Sequence, residues 1–569
     1  MAKKTRSLAT LDNEYATRRF DEMWAVQQKY KPFFKVIRDF VLPYAGVFEK
    51  TDITDPKQLG PEMLDTDPWS YAEDAAAGLK NGILNPGMQW FEYRSEDPEL
   101  DEQFDNRAYL ELSTSLVMSS LERSGFYDSI YQSILELATF GTSAILIDED
   151  LSNKDYIYRF ESYTAGEFSF GVGADGKPNS FCTLRYMNAS QIDDEYGEDG
   201  DLPQEVLADI EKGKFDTLYE VCHLIERNIG RKTPSGISVT TGASKEYVSV
   251  HWIKGNKEFL RVGGYDSKPF IVSRWQKKSN MLFGISSPGW KAIGNSKLLQ
   301  KITEDQLVAL AKEIDPPMLA GDGIDEVYAG PGGITRSSGD DLNKSGVKPA
   351  YQISVNHAAV QAAIDKKRDD IKRIFYYDKI LMITSYGQRE MTAEEVVLRN
   401  QEKLAVLDPI LTNLQTELLA GVCERVLDIM EKNGQLPEKP SGLGETKTLF
   451  NSIFSAARRK QKLNPLNDFA TSISLMPESM KEQISSALDP YSWLEVAARA
   501  ASLPNGILKD RGDWEGELQQ QAAQAQEQQA RAQAQQGAGS AKDWARAKTG
   551  EENALTGAID MMGGGEVAQ

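Results

Sequence analysis

Cysteine and histidine each occur only three times in 569 residues, and that scarcity removes several kinds of chemistry at once. Cys182, Cys222 and Cys423 are scattered and odd in number, so no disulfide framework is expected and a reducing compartment suits the chain. The adjacent pair Cys222-His223 lacks the paired spacing of a zinc site, and His223 and His251 read as ordinary strand residues. Long apolar runs are missing too. The greasiest early stretch, FVLPYAGVF at 40–48, is far short of a membrane span. No apolar stretch follows the basic start MAKKTR, so no secretory signal is expected and the chain should work where it is made. Positive charge is in deficit, with 64 Lys+Arg against 85 Asp+Glu and a net charge of -21. A protein that grips nucleic acid through phosphates needs a basic face. This chain repels DNA on average.

Catalytic and nucleotide motifs are equally thin. No G-x-x-x-x-G-K-[ST] and no G-x-S-x-G is present. GVGADG places Gly171, Gly173 and Gly176 in a G-x-G-x-x-G spacing, but KPNSFCTL follows, a proline and then a strand. A pyrophosphate site needs a helix N-terminus there, so these glycines are expected in a hairpin turn. DDEYGEDGD (193–201) departs from the order of a calcium loop and reads as a solvated acidic turn. No catalytic residue, cofactor or metal is expected, and the chain does not read as an enzyme.

What is present is a long alternation of textures. Apolar residues at helical spacing predict a helix over 11–41, a second from Asp67-Pro68 to Leu84, and two more across 99–139, broken near Ser124-Gly125. Between 143 and 276 the chain turns β-branched and aromatic, with six strands separated by Gly, Asn and Asp. Ser287-Pro288 opens a helix that Pro316-Pro317 stops, and residues 318–356 are rich in Gly and Ser. A helix over 357–378 carries Lys366, Lys367, Arg368, Lys372 and Arg373. Asp365, Asp369 and Asp370 interleave with them, so pairing on a solvated helix and a role facing DNA stand equally.

A loop over 379–391 contains Lys379, Ser385, Tyr386, Gly387, Gln388 and Arg389. Thr392 and Glu395 then form a capping box, and the helix they open runs through Pro409 with leucines at 404, 407, 411, 414 and 418. Continued to Lys432 it would be about 60 Å long, bent where Pro409 removes a donor. A Pro/Gly linker (434–446), short helices at 451–463 and 489–504, the Ala/Gln tract and a disordered tail from 537 complete the reading.

Five segments in this order resemble the head-to-tail connector, or portal, proteins of podoviruses: AAAGLKNGILNPGMQWFEY (75–93), FGTSAILIDED (140–150), DPPMLA with GPGGIT (315–335), MITSYGQREMTAEEVVLRNQEK (382–403) and FSAARRKQK (454–462). The resemblance spans roughly 10–515. It implies an α+β portal fold, mainly helical, with a wing (1–286) holding the β-rich insertion. Residues 287–315 and 357–378 would be stem helices, 316–356 the clip, 379–391 the channel loop and 392–433 a kinked wing helix. Residues 447–515 would form the crown, and 516–536 a helical barrel or extension.

The implied assembly is a twelve-subunit ring at one capsid vertex, built in the host cytoplasm and retained in the virion. It would nucleate head assembly and pass double-stranded DNA. Its implied partners are capsid and scaffolding proteins, the terminase large subunit, tail adaptor or tube proteins and internal core proteins. The loop residues 379 and 385–389 would then touch DNA, as would the basic cluster. An acidic channel wall suits that role, because each basic contact adds affinity that slows sliding. A tail adaptor or internal core protein is the alternative, and a nucleotide-binding enzyme a more distant one.

Overall fold

Helix α1 (Asn13–Phe40) forms where Phe20, Met23, Phe34 and Ile37 recur on one side, and all four are buried. After the single turn α2 (Thr51–Thr54) comes α3 (Asp67–Ile83), which has Pro68 in its first turn and buries Ala72, Ala75, Ala76 and Leu79. Strand β1 (Phe91–Ser95) and the short α4 (Pro98–Asp101) precede α5 (Phe104–Arg123) and α6 (Phe126–Phe140). The last two are separated at Ser124 and Gly125, as the sequence predicts. Gly141, in the left-handed conformation at φ 86°, ends α6.

The computed structural model describes residues 13–54, 63–84, 89–150, 156–197, 202–319, 354–384 and 407–451, apart from 102, 229–244, 257 and 408. It also describes 327–328, 347–349, 489–494 and 511–528 apart from 513, 522 and 525.

Among the described residues of the β-rich region there are eight strands, not six, and they form two antiparallel sheets. The smaller holds β2 (Thr142–Glu149) between β3 (Tyr158–Tyr163) and β9 (Phe270–Arg274). The larger runs in order through β4 (Phe168–Val172), β5 (Pro178–Asn188), β6 (Leu218–Arg227), β7 (Tyr247–Ile253) and β8 (Phe259–Tyr265). Helix α1 covers one face of it, where Ala16, Phe20 and Met23 meet Cys182, Leu224, Val250 and Trp252. Two helices also interrupt this region, α7 (Ala189–Tyr196) and α8 (Gln204–Glu211). The expected acidic turn is corrected here: Asp193 to Tyr196 are helical, because Asn188 and Gln191 make a reciprocal capping box ahead of them. Residues 198–201 lie outside the described residues.

Helix α9 (Pro288–Ile314) and helix α10 (His357–Ile374) follow, and the two-residue strands β10 (Met318–Leu319) and β11 (Lys348–Pro349) pair between them. A break at Phe375-Tyr376 leads into α11 (Tyr377–Thr384), so the first six residues of the expected loop are helical. From Pro409 the chain is helical again. It contains a π-helical turn, Leu414–Leu419, and continues as α12 (Ala420–Lys432). The expected capping box at Thr392 and Glu395 lies outside the described residues.

Strand β12 (Thr446–Phe450) returns to pair antiparallel with β1, Phe91 opposite Phe450 and Ser95 opposite Thr446. There Trp90, 1% exposed, stacks on Phe126 at 5.8 Å between ring centroids. Residues 1–455 form one compact unit and 456–569 a second. In the second, Asp489 caps a helical turn by accepting from Tyr491 N at 3.1 Å, it also accepts from Ser492 Oγ at 2.6 Å, and the Tyr491 and Trp514 rings lie 5.6 Å apart. Residues 514–521 are helical.

Candidate functional site

Helix α10 carries the basic cluster singled out in the sequence and packs antiparallel against α9. Ser287 starts α9 twice over: its hydroxyl accepts from Trp290 N and donates to Thr139 O at 2.8 Å, which fixes the helix to the end of α6. Asn356 caps α10 by accepting from Ala359 N at 3.1 Å. Ala292 and Leu299 of α9, and Ile364 and Ile371 of α10, are buried. At the far end His357 Nε2 lies 2.7 Å from Glu313 Oε2. Beyond this seam α9 is bare. Leu298, Leu307, Val308 and Leu310 are exposed, and Ile314 is 75% exposed.

The basic cluster divides. Arg368 is bound to Asp65 and Asp67 at 3.0 Å each, and the Asp65 side chain is only 1% exposed. Gln300 completes that anchor, donating to Asp65 O at 2.6 Å while accepting from Leu64 N and Asp65 N. Although partial desolvation opposes it, the two carboxylates hold the Arg368 guanidinium above its ordinary value. Lys367 meets Asp370 and Asn295, each at 3.2 Å. Lys372 meets Asp378 at 3.2 Å. Lys366 and Arg373 are both exposed and sit seven residues apart, on one face of α10. Lys379 lies in α11, its ammonium 5.5 Å from the centre of the Tyr376 ring. Ser385, Tyr386, Gly387, Gln388 and Arg389 lie outside the described residues.

Neither Asp65 and Asp67 as partners of Arg368 nor Gln300 as the side chain that holds the Asp65 backbone is legible in the sequence. The only sequence signal nearby was the Asp-Pro helix start at 67.

The glycine motif is a turn. The register of β4 on β5 shifts between Gly171 and Val172, Gly173 N donates to Lys177 O at 2.9 Å, and Gly176 has φ +73°. A Cβ added at Gly176 meets nothing within 4 Å, so only the backbone conformation resists substitution there. Gly176→Ala is expected to cost about 1 kcal/mol in urea denaturation. A loss of several kcal/mol would mean that this turn does more than close the hairpin.

His223 and His251 sit opposite each other on β6 and β7, their rings 3.7 Å apart. They line a polar cavity of about 270 Å³ with Arg159, Arg185, Glu161 and Glu195. The charges there satisfy one another, Arg159–Glu161 at 2.7 Å and Arg185–Glu161 at 3.1 Å. Burial pulls the His223 imidazole down to about 3 and His251 well below its ordinary value, so both are neutral at pH 7. Among the described residues no group of three His, Cys, Asp or Glu is placed to hold a metal, and no helix is long and apolar enough to cross a membrane.

The family described as bacteriophage head to tail connecting protein matches residues 13–508. The chain is 26% identical over 572 residues to the portal protein of Salmonella phage epsilon15, covering 98% of each. It is 25% identical over 522 residues to the probable portal protein of Bordetella phage BPP-1, covering 89% of this chain and 91% of that one. A solved chain in the neck of an empty gene transfer agent particle overlaps 81% of this chain at 10% identity and a TM-score of 0.37, too loosely to assign elements. The family model and the two portal relatives define a protein of the phage portal class. The chain belongs to the bacteriophage head-to-tail connecting protein family.

Proposed function

We propose that this portal-class chain assembles as a closed ring, of twelve subunits by family resemblance, through which double-stranded DNA enters and leaves the head. Helices α9 and α10 act as the stem, 316–356 as the clip, and the chain from 379 to 391 faces the channel. The region before Ser287, with 392–433, makes the wing, and the chain after 447 makes the crown. Terminase docks first and tail proteins later. Capsid, scaffolding and core proteins surround the ring, which is assembled in the host cytoplasm. The protein performs no catalysis of its own.

The observation that carries this reading is the bare apolar face of α9 at Leu307, Val308, Leu310 and Ile314. A lone subunit has no cover for it, and contiguous exposed apolar surface marks a protein interface. Lys366 and Arg373 support weak, salt-sensitive phosphate contacts, because no carboxylate is placed against them among the described residues. Negative-stain images of the purified protein are expected to show rings with an axial hole. Monomers alone at micromolar concentration in native mass measurement would overturn the reading.

A further inference from the structure

Tyr376 is a bulky residue in the left-handed region, at φ 58°. Such a conformation persists only where surrounding contacts impose it. Here it divides what would otherwise be one helix into α10 and α11. Local hydrogen bonds close both ends: Tyr376 N donates to Arg373 O at 3.1 Å, as a left-handed cap does, and Ile380 N and Lys379 N donate to Tyr376 O at 3.0 and 2.9 Å. Such bonds hold the break without requiring a tyrosine there. The imposing contacts come from α3. Ile380, 3% exposed, occupies a notch that exists because residue 78 is glycine: an added Cβ would fall on Ile380 Cγ2. One turn earlier the Tyr377 ring meets Tyr71 edge-on at 5.5 Å. Across the break Lys372 reaches Asp378 at 3.2 Å and lies 5.0 Å from the Tyr377 ring centre.

We propose that Gly78 is a docking notch for α11, and that α11 has a second position outside it, in which α10 runs on through a relaxed Tyr376. Seating and strain then oppose each other: the notch contacts hold the break, and the left-handed Tyr376 favours release. The device links α3 to the point where the chain passes residue 384 toward the proposed channel face. It rests on the portal reading, and it assigns to Gly78 and Ile380 a positioning role for the element that leads there.

The notch permits a reversible lock. A Cβ built at Gly78 lies 3.4 Å from Ile380 Cβ, close to the ~3.5–4.5 Å spacing of a disulfide. The native cysteines are all buried and will not compete. Full-length Gly78→Cys/Ile380→Cys is expected to form rings whether oxidised or reduced. Oxidised proheads should lose DNA packaging, and a reductant should restore it. Equal packaging in both states would overturn the proposal, leaving the notch as static packing.

Hydrogen exchange supplies an independent arm. Gly78→Ala bars the seat and Ile380→Ala empties it, so each should reduce protection across 377–384 while rings remain. Unchanged protection in whichever variant folds would equally overturn it. Failure of the unmodified protein to form rings would instead sink the portal reading, a distinct outcome.

Discussion

Arg425→Ala is expected to destabilise the first compact unit by about 3–5 kcal/mol, because it breaks a buried, hydrogen-bonded ion pair. Arg425 is 3% exposed on α12. Its guanidinium reaches Glu149 at the end of β2 at 3.1 Å, Ser267 Oγ at 2.7 Å, and stands 5.6 Å from the centre of the Tyr265 ring. One side chain therefore joins a helix near the C-terminal end of the unit to both sheets. Removing it leaves Ser267 without its donor, and leaves Glu149, 18% exposed, with only Lys432 at 3.1 Å. Urea denaturation followed by tryptophan fluorescence measures the loss. Arg425→Met keeps most of the volume and separates packing from charge. A change below about 1 kcal/mol for Arg425→Ala would mean that Glu149 and Ser267 rehydrate freely.

Raising the pH from 6.5 to 8 is expected to weaken the same unit, by roughly 2 kcal/mol. The source is Glu136 on α6, 6% exposed, whose carboxyl accepts from Thr164 Oγ1 at 2.6 Å and Ala165 N at 3.0 Å. Burial pushes it up to about 8. The two hydrogen bonds oppose that shift, and nearby Glu167 adds to it. In the unfolded chain a glutamate ionises near 4.3, so between there and about 8 the folded state holds a proton that the unfolded state has lost. Stability then falls with rising pH through that window and levels off above it.

Other shifted groups act elsewhere. The lowered His223 and His251 add stability as pH rises toward 6.5, and that gain is complete above it. Lys268, lowered by burial to about 8, adds stability only above that value. Glu136→Gln should flatten the profile between 6.5 and 8. A wild-type profile already flat there would show the carboxyl ionised in the fold.

Much of the helical framework was legible because its signals are local. Phe20, Met23, Phe34 and Ile37 mark α1, and Ser287-Pro288 opens α9 where the sequence predicts. The misses have one physical origin, which is contact over long sequence separation. Strands β4 and β8 carry Gly171, Gly263 and Gly264, poor strand formers held only by their neighbours. Strand β12 falls across the expected boundary between linker (434–446) and crown (447–515), and it was missed because its partner β1 lies more than three hundred residues earlier. Arg368 reads as paired with the aspartates of its own helix or as facing DNA; Asp365 does lie 3.8 Å away, but its tighter anchors are the distant Asp65 and Asp67. Residues 379–384 belong to the loop expected over 379–391, yet α11 is helical there and packs against α3. Helix α7 is different: its Asn188-x-x-Gln191 capping pair is a local signal, directly ahead of the acidic residues that read as a turn.

The π turn at Leu414–Leu419 carries a consequence for how this rod tolerates change. A turn with one residue to spare sets the two lengths of helix on either side out of phase by about 100°, the angle of one α-helical residue. That phase slip lets consecutive Leu418 and Leu419 both face inward, ahead of Val422, Val426 and Ile429. It also turns Glu417 toward Arg274, whose backbone N–H it accepts at 3.0 Å at the end of β9, with Lys277 alongside. Losing a single residue here would leave no gap in the rod. It would instead rotate everything upstream, Leu407 and Leu411 included, about the helix axis, so at this turn chain length works as a dial on orientation.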